Sequence, residues 1–192
     1  MTVFELIQKR RSIRRFRQEK MPVDLLTAIV DTGRLAPSAS NLQPLEFILV
    51  DDVDLLPQIF VNTRWAGYLP NDEGRPPKGQ EPTAFIVILV NTDIAGNWAG
   101  HDVGAAGENM ILAALSEGIG SCWIASVNAE AVSRILKIPQ NYRIDSVIAM
   151  GYPDEQPVSE PMRDSIEYYK DESGVLHVPK RQLDDIFHHN QF

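Results

Sequence analysis

The chain has 192 residues, of which 44% are hydrophobic and 23% charged, as expected for one globular domain with its own hydrophobic core. Its 18 basic and 26 acidic side chains give a formal net charge of −8, which argues against a surface that binds nucleic acid. One cysteine allows no intrachain disulfide and no multi-cysteine zinc site. The N-terminus lacks the apolar core of a signal peptide, and the longest apolar run, Ala84–Val90, is far shorter than the ~20 residues of a membrane span. These features predict a cytoplasmic protein that does not enter a membrane.

The N-terminal part of the chain predicts two helices. The capping-box pattern Thr2–Glu5 predicts a short helix that ends near Lys9 or Arg10. Pro22 is suited to the first turn of a second helix, because a helix leaves the N–H at that position without a partner. The apolar residues that follow keep helical spacing until Ala36–Pro37.

The middle of the chain predicts strands, an irregular insertion and a long helix. Phe47–Val50 and Ala84–Val90 are apolar runs typical of buried strands, and a short helix, 55–60, follows the first of them. Seven glycines and prolines make 62–82 an irregular insertion, either a lid over a site or a plain surface connection. Residues 99–117 predict a helix with several glycines. Because each glycine costs ~1 kcal/mol relative to alanine, we expect another backbone or a ligand to pack against this helix.

The C-terminal part predicts two further strands and one helix. Gly120–Ile124 and Ser146–Met150 are the strands, and the helix, 129–137, lies between them. Residues 154–192 form a polar C-terminal extension with one short amphipathic piece, 183–187. About five helices and four strands in mixed order predict an α+β fold, or an α/β fold with an irregular order.

A basic segment near the N-terminus is a candidate anion site. Residues 9–20 hold seven of the 18 basic side chains and a single acid, Glu19. If the segment is extended, Arg10, Ser12 and Arg14 point to one side. Two guanidinium groups and a hydroxyl suit one phosphate, because arginine binds phosphate oxygens bidentately. The alternatives are a solvated basic face and a nucleic-acid site, and the second is disfavoured by the single aromatic residue of the segment.

A polar loop, Ala36–Pro44, joins the second helix to the first strand and contains two hydroxyls and two amides. The amides of Asn41 and Gln43 offer both donors and acceptors, as a ring with alternating N–H and C=O edges requires. The alternative is a turn that caps itself. Gly118–Gly120 lacks the third glycine and the βαβ unit of a Rossmann fingerprint. A nicotinamide cofactor would therefore bind without a dedicated nucleotide domain.

Other reactive residue types carry weaker signals. The four histidines have no metal-ligand spacing, so we expect no metal site. His101 and Asp102 lie near a helix start and are expected to cap or pack. Cys122 lies in an apolar stretch and is expected to be a core residue rather than a nucleophile.

Several segments of this chain together resemble the FMN-dependent nitroreductase family. The resemblance lies in the order and spacing of these segments, and it runs through most of the chain. The segments are Arg10–Phe16, Ala36–Pro44, Asp102–Ala105, Leu112–Ala114, Gly118–Ile124, Gly151–Pro153 and Pro179–Arg181. The resemblance implies a single domain, 1–192, with a three-layer α+β sandwich in which helices flank a central, mostly antiparallel sheet. It also implies an intertwined homodimer with two FMN sites at the subunit interface.

The resemblance implies a function as well. Family members pass a hydride from NADH or NADPH to flavin N5 and then to a nitroaromatic, a quinone or a similar acceptor, in a ping-pong order. We therefore predict an FMN-dependent NAD(P)H oxidoreductase. The alternatives are a specialised member, dehalogenase-like or flavin-consuming, and a non-catalytic flavin-binding or redox-sensing protein.

The resemblance also assigns roles to residues of this chain. The flavin-binding residues that it implies are Arg10, Arg11, Ser12, Arg14, Pro37, Ser38, Ser40, Asn41, Gln43, Ile124, Ala125, Ser126, Lys180 and Arg181. Those of the basic segment would bind the FMN phosphate or the pyrimidine edge, and those of the polar loop would line the flavin from the partner subunit. The backbone of 124–126 would present an N–H to flavin N5, and 180–181 would close on the phosphate. Trp65 and Tyr68 are expected to help cover the acceptor site, and no catalytic residue beyond the flavin is expected.

Overall fold

Four antiparallel strands in the order β1-β2-β4-β3 form the central sheet. They are β1 (Leu45–Val50), β2 (Ala84–Asn91), β3 (Gly120–Ile124) and β4 (Tyr142–Gly151). The computed structural model describes all residues, 1–192. The apolar run of β2 places it between β1 and β4, where every residue but the last is buried. The four predicted strands are confirmed, and β4 begins at Tyr142, earlier than the predicted Ser146.

The chain has five α-helices, four of which pack on the two faces of this sheet, while the first packs on the fourth. They are α1 (Val3–Lys9), α2 (Val23–Arg34), α3 (Leu56–Phe60), α4 (Ala99–Ser116) and α5 (Ala129–Leu136). Side chains alternate along β2, so that Ile86 packs in an apolar cluster with α2 and α4, whereas Phe85 packs in a second cluster with α3 and α5. This arrangement confirms the three-layer α+β sandwich. α2 begins one residue later than predicted, so Pro22 is its N-cap rather than a first-turn residue.

The glycines of α4 do not all serve the same purpose. A Cβ atom at Gly107 would lie 2.3 Å from the Trp123 ring, so this position admits no side chain unless the ring moves. Nothing lies within 4 Å of a Cβ at Gly100 or Gly104. A close neighbour is therefore present at Gly107, but it is a side-chain ring rather than the expected backbone or ligand, and within one protomer the other two glycines have none. The Trp123 indole is held in place because its Nε1–H donates to Ser146 Oγ at 2.7 Å.

The C-terminal extension forms a second sheet, which the sequence did not predict. Its strands are β5 (Val158–Pro161), β6 (Tyr169–Lys170) and β7 (Leu176–Lys180), in the order β5-β7-β6. The expectation of a single amphipathic piece was wrong, because these strands are short and mostly solvated and so lack alternating apolar residues. The expected piece is a single 3₁₀ turn, Leu183–Asp185, with exposed apolar side chains.

The insertion 62–82 is irregular, as predicted, with one 3₁₀ turn at Pro70–Asp72. None of the helices combines the length and the apolar character that crossing a membrane requires.

Candidate functional site

The basic segment is extended, which was the condition for the predicted anion site, and it runs along the outer edge of β3. Ser12 forms a parallel bridge with Ser121, and the Ile13 backbone N–H donates to the Ser121 carbonyl oxygen at 2.8 Å. Phe16 is fully buried and pairs with Pro153 at the far end of the segment. Because both ends are anchored in the fold, the arginines between them are held in defined directions.

Two of these arginines, Arg10 and Arg11, line a cavity of about 400 Å³ beside the start of β3, together with Pro153 and residues 155–157. Arg10 Nε lies 3.4 Å from Glu108 Oε1 on α4. Arg11 donates to the Arg10 carbonyl oxygen and to Ser159 Oγ of β5. Burial, and to a smaller extent the charge of Arg10, lower the pKa of Arg11. The Arg11 Nε–H is buried without an acceptor, which is costly unless a ligand supplies one.

Arg14 lines a different cavity, of about 360 Å³. Its Nε is also buried and unpaired, its guanidinium carbon lies 5.5 Å from the ring centroid of Tyr168, and its backbone N–H donates to the Glu155 carboxylate. Arg10, Ser12 and Arg14, which were predicted to face one phosphate, therefore do not lie in one cavity within a protomer. Arg10 lines the first cavity, Arg14 lines the second, and Ser12 lines neither.

The polar loop has a fixed and strained backbone. Three of its residues have a φ of 50–53°: Ser40, Asn41 and Gln43. Such left-handed values are uncommon outside glycine and persist where the surroundings hold them. Here Ser38 Oγ accepts from the Gln43 backbone N–H at 3.0 Å, and Asp102 Oδ1 accepts from the Ala39 backbone N–H at 2.9 Å. Buried Asp102 thus caps the polar loop from α4, although the two are far apart in sequence. Asp102 was expected to cap or pack, but the polar loop was not expected to be its partner.

The loop lines a third cavity, of about 460 Å³, against α2. Pro37, Ser38 and Gln43 line it, whereas Ser40 and Asn41 are exposed and lie outside its wall. This cavity shares no lining residue with the two that the arginines line. One protomer therefore does not bring the loop and the basic segment into one cavity.

The cavity beside Arg14 also contains the end of β3. Ile124, Ala125 and Ser126 line it, and Ala125 and Ser126 are exposed. No hydrogen bond from the backbone N–H of Ala125 or Ser126 is present. The Ser126 carbonyl oxygen accepts from the Arg64 backbone N–H at 3.0 Å, which fixes the insertion to this turn. Two backbone donors are thus available to a ligand in this cavity.

Aromatic residues from the insertion and the extension surround the same cavity. Trp65 is buried, with its Nε1–H donating to Thr63 Oγ1 at 3.0 Å, and it forms part of the wall. Tyr68 is exposed and lines an adjacent cavity, where its ring centroid lies 5.0 Å from that of Tyr168. Tyr168 lines both cavities. It was not among the predicted site residues, because no sequence pattern links the extension to the insertion.

A cluster of ionisable groups holds the second sheet together. His177 Nδ1 lies 2.8 Å from Glu160 Oε2, and His177 Nε2 lies 3.2 Å from Asp171 Oδ2. The Tyr169 hydroxyl donates to Glu160 at 3.0 Å. Hydrogen bonds to the two carboxylates raise the pKa of His177, while hydrogen bonds to Ser173 and to the backbone of Val175 are the largest causes that lower the pKa of Asp171 to about 2. Tyr168 directly precedes β6 of this sheet.

Lys180 and Arg181, at the end of β7, are both exposed. The Arg181 guanidinium donates to the Asp185 carbonyl oxygen at 2.7 Å. Neither residue lines a cavity with the basic segment in the protomer.

The one cysteine is a core residue, as predicted. Cys122 is buried in the cluster that contains α3 and α5, and burial raises the pKa of its thiol. No group of three or more His, Cys, Asp or Glu side chains is placed to hold a metal ion.

Comparison with known proteins gives this geometry a family. Residues 7–152 match the nitroreductase family. The chain belongs to that family. A protein of Methanothermobacter thermautotrophicus named "Putative NADH dehydrogenase/NAD(P)H nitroreductase" is 32% identical to this nitroreductase, over 82% of this chain and 80% of its own length. The resemblance inferred from the sequence segments is thereby confirmed, and the chain is a flavin oxidoreductase of the nitroreductase family.

Two further relatives show the range of the family. The structure of an FMN-dependent nitroreductase from Clostridium difficile R20291 is 25% identical, covers 98% of this chain and 99% of its own, and superposes with a TM-score of 0.70. An iodotyrosine deiodinase from Thermotoga neapolitana is 25% identical over 87% of this chain and 97% of its own length. The family therefore includes specialised members.

Proposed function

We propose that this nitroreductase binds FMN and catalyses hydride transfer from NADH or NADPH to small acceptors such as nitroaromatics or quinones. The observation that carries the proposal is the pair of buried, unpaired guanidinium N–H groups of Arg11 and Arg14. Both belong to one anchored segment of an otherwise acidic protein, so they are suited to an anionic ligand such as the FMN phosphate. The FMN-dependent relative from Clostridium difficile supports the same ligand.

The residues of the chain would bind and orient the cofactor. Bound FMN would supply hydride transfer at its N5 atom. Arg11 and Arg14 would each donate a hydrogen bond to a cofactor oxygen, which removes the cost of their buried unpaired N–H groups. Ala125 and Ser126 would offer their free backbone N–H groups from the end of β3. The strained polar loop would present hydroxyls and amides without a further loss of backbone entropy.

We also propose that the protein is a homodimer with FMN at the interface. Within one protomer the polar loop and the basic segment line separate cavities. A single flavin that contacts both sets of residues therefore needs the loop of a partner subunit. Sedimentation equilibrium checks this arrangement, and a monomer that is fully occupied by FMN would contradict it.

Donor and acceptor would use one cavity in turn, which gives a ping-pong order. The chain has no Rossmann unit for the dinucleotide, and the cavity beside Arg14 already has exposed backbone donors and aromatic walls. Initial-rate plots at several fixed acceptor concentrations are expected to give parallel lines. Intersecting lines would mean that donor and acceptor bind together.

The visible absorption spectrum tests the cofactor and the donor in one experiment. Purified protein supplemented with FMN is recorded without oxygen, before and after the addition of NADH or NADPH. Flavin bands that bleach on addition are the expected result. Bands that persist would favour a non-catalytic flavin-binding or redox-sensing protein, and a protein that retains no flavin would refute the assignment of the basic segment.

Reductive deiodination is a second candidate function. The iodotyrosine deiodinase from Thermotoga neapolitana matches this chain over 97% of its own length. The assay is release of iodide from 3-iodotyrosine by the chemically reduced, FMN-loaded protein, in which two electrons and a proton replace the carbon–iodine bond with a carbon–hydrogen bond. Iodide release as fast as nitroaromatic reduction would favour this candidate.

A further inference from the structure

The cavity beside Arg14 is positively charged although the chain as a whole carries a net charge of −8. Two arginines, Arg14 and Arg64, line it, and none of its lining residues is an aspartate or a glutamate. The Glu155 carboxylate accepts from the Arg14 backbone but lines a different cavity. Since like charges concentrated in a cleft raise the local concentration of the opposite charge, this cavity attracts anions.

Arg64 is the arginine of this cavity that has no other partner. Its guanidinium makes no hydrogen bond, ion pair or aromatic contact, and its side chain is exposed. The other arginines that line cavities each contact an acid, a hydroxyl or an aromatic ring: Arg10, Arg11, Arg14 and Arg34. Only the backbone of Arg64 is fixed, by its N–H bond to the Ser126 carbonyl oxygen. The residue also lines a neighbouring cavity with Asn62 and Asn128, so its side chain lies between the two.

The remaining walls are suited to a flat ring. Trp65 and Tyr168 contribute aromatic rings to the same cavity, whereas the Trp123 ring packs on Gly107 of α4. Tyr168 separates this cavity from the adjacent one, where two acids, Glu73 and Glu167, outnumber the single cation, Lys170, and make the surroundings less favourable to an anion. If a planar ring in this cavity carries an anionic substituent, that substituent would therefore be best placed beside Arg64.

We propose that the preferred acceptors of this nitroreductase are planar aromatic compounds with an anionic substituent, and that Arg64 is the residue that selects them. The proposal rests on the proposed function, because it takes the cavity beside Arg14 as the acceptor site and assigns Arg14 itself to the cofactor. A charged hydrogen bond from a guanidinium to a carboxylate is stronger than one between neutral groups. Arg64 therefore favours a carboxylate over a carboxamide of the same shape.

The test compares 4-nitrobenzoate with 4-nitrobenzamide as acceptors of the FMN-loaded protein. The cofactor is reduced chemically beforehand, so that donor binding plays no part, and its reoxidation is followed by stopped flow. Arg64→Gln is expected to lower the second-order rate constant for 4-nitrobenzoate about tenfold and to leave that for 4-nitrobenzamide unchanged. Arg64→Lys is expected to keep part of the preference. Arg134→Gln is the matched control, because Arg134 pairs with Glu130 on the exposed face of α5 and lines none of these cavities.

Equilibrium binding gives an independent readout. Calorimetric titration of the FMN-loaded protein with benzoate and benzamide is expected to show that Arg64→Gln weakens benzoate binding alone. Equal effects on both compounds, or no effect on either, would overturn the role of Arg64. If the wild-type protein reduces neither nitro compound, the proposed function fails, whereas the two titrations still decide whether Arg64 selects an anionic ring.

Discussion

The contact between Gly107 of α4 and Trp123 of β3 gives a sharp prediction for Gly107→Ala. The added Cβ would lie 2.3 Å, 2.6 Å and 2.7 Å from three atoms of the Trp123 six-membered ring. The ring cannot move away freely, because its Nε1–H is bonded to Ser146 Oγ. Overpacking of this kind costs up to ~3 kcal/mol, while alanine in place of glycine favours a helix by ~1 kcal/mol. We expect a net loss of ~2 kcal/mol in the free energy of unfolding.

A double-mutant cycle with Trp123→Phe isolates the cause. The smaller phenylalanine ring removes the clashing atoms, so Gly107→Ala in that background should become neutral or stabilising by up to ~1 kcal/mol. Urea unfolding of the four proteins, followed by circular dichroism at one protein concentration, measures the coupling. A Gly107→Ala protein that is as stable as the wild type, or one that loses the same free energy in both backgrounds, would refute the reasoning.

Three other residues give predictions of different kinds. Arg14→Ala is expected to raise the Kd for FMN about tenfold or more in a fluorescence titration, since one charge-assisted contact is lost, and an unchanged Kd would remove Arg14 from the site. Asp102→Ala should cost ~2 kcal/mol of unfolding free energy by leaving the Ala39 N–H unpaired, while Asp102→Asn, which keeps an acceptor, should cost less. The raised pKa of His177 means that its contribution to stability is present below about pH 6.5 and is lost as the pH rises through the folded-state pKa. His177→Gln should therefore reduce the fall in melting temperature between about pH 6 and pH 9, and an unchanged fall would contradict this role.

The fold could be predicted where one residue pattern decides the structure. The continuous apolar run of β2 predicts a central strand, and α4 ends beside Gly118, whose φ of 75° is left-handed, as the helix pattern indicated. In the basic segment, the concentration of positive charge was a local signal for an anion site, whereas the extended conformation was only assumed. These are local signals that tertiary packing reinforces.

Other features depend on contacts between distant parts of the chain, which no local pattern records. Asp102 caps the backbone at Ala39 across a long stretch of sequence, and nothing in either segment indicates this bond. The sequence also placed Arg10 and Arg14 on one side of a strand, whereas Glu108 of α4 holds Arg10 at a different cavity. The second sheet was missed because its hydrogen bonds and the pairing of His177 with Glu160 stabilise strands that have almost no apolar face.

The packing of the basic segment on β3 also affects how late in folding the candidate site can form. Ile13 and Phe16 find their partners at Ser121 and Pro153, so this pairing closes loops that contain most of the chain. Closing such loops is slow, because the entropy of the intervening chain is lost before the contact stabilises anything. The first arginines to be synthesised are therefore among the last residues to be positioned. A nascent chain carries the basic side chains of the candidate site long before that site can form, because the segment needs the strands β3 and β4 to be in place before it can pack.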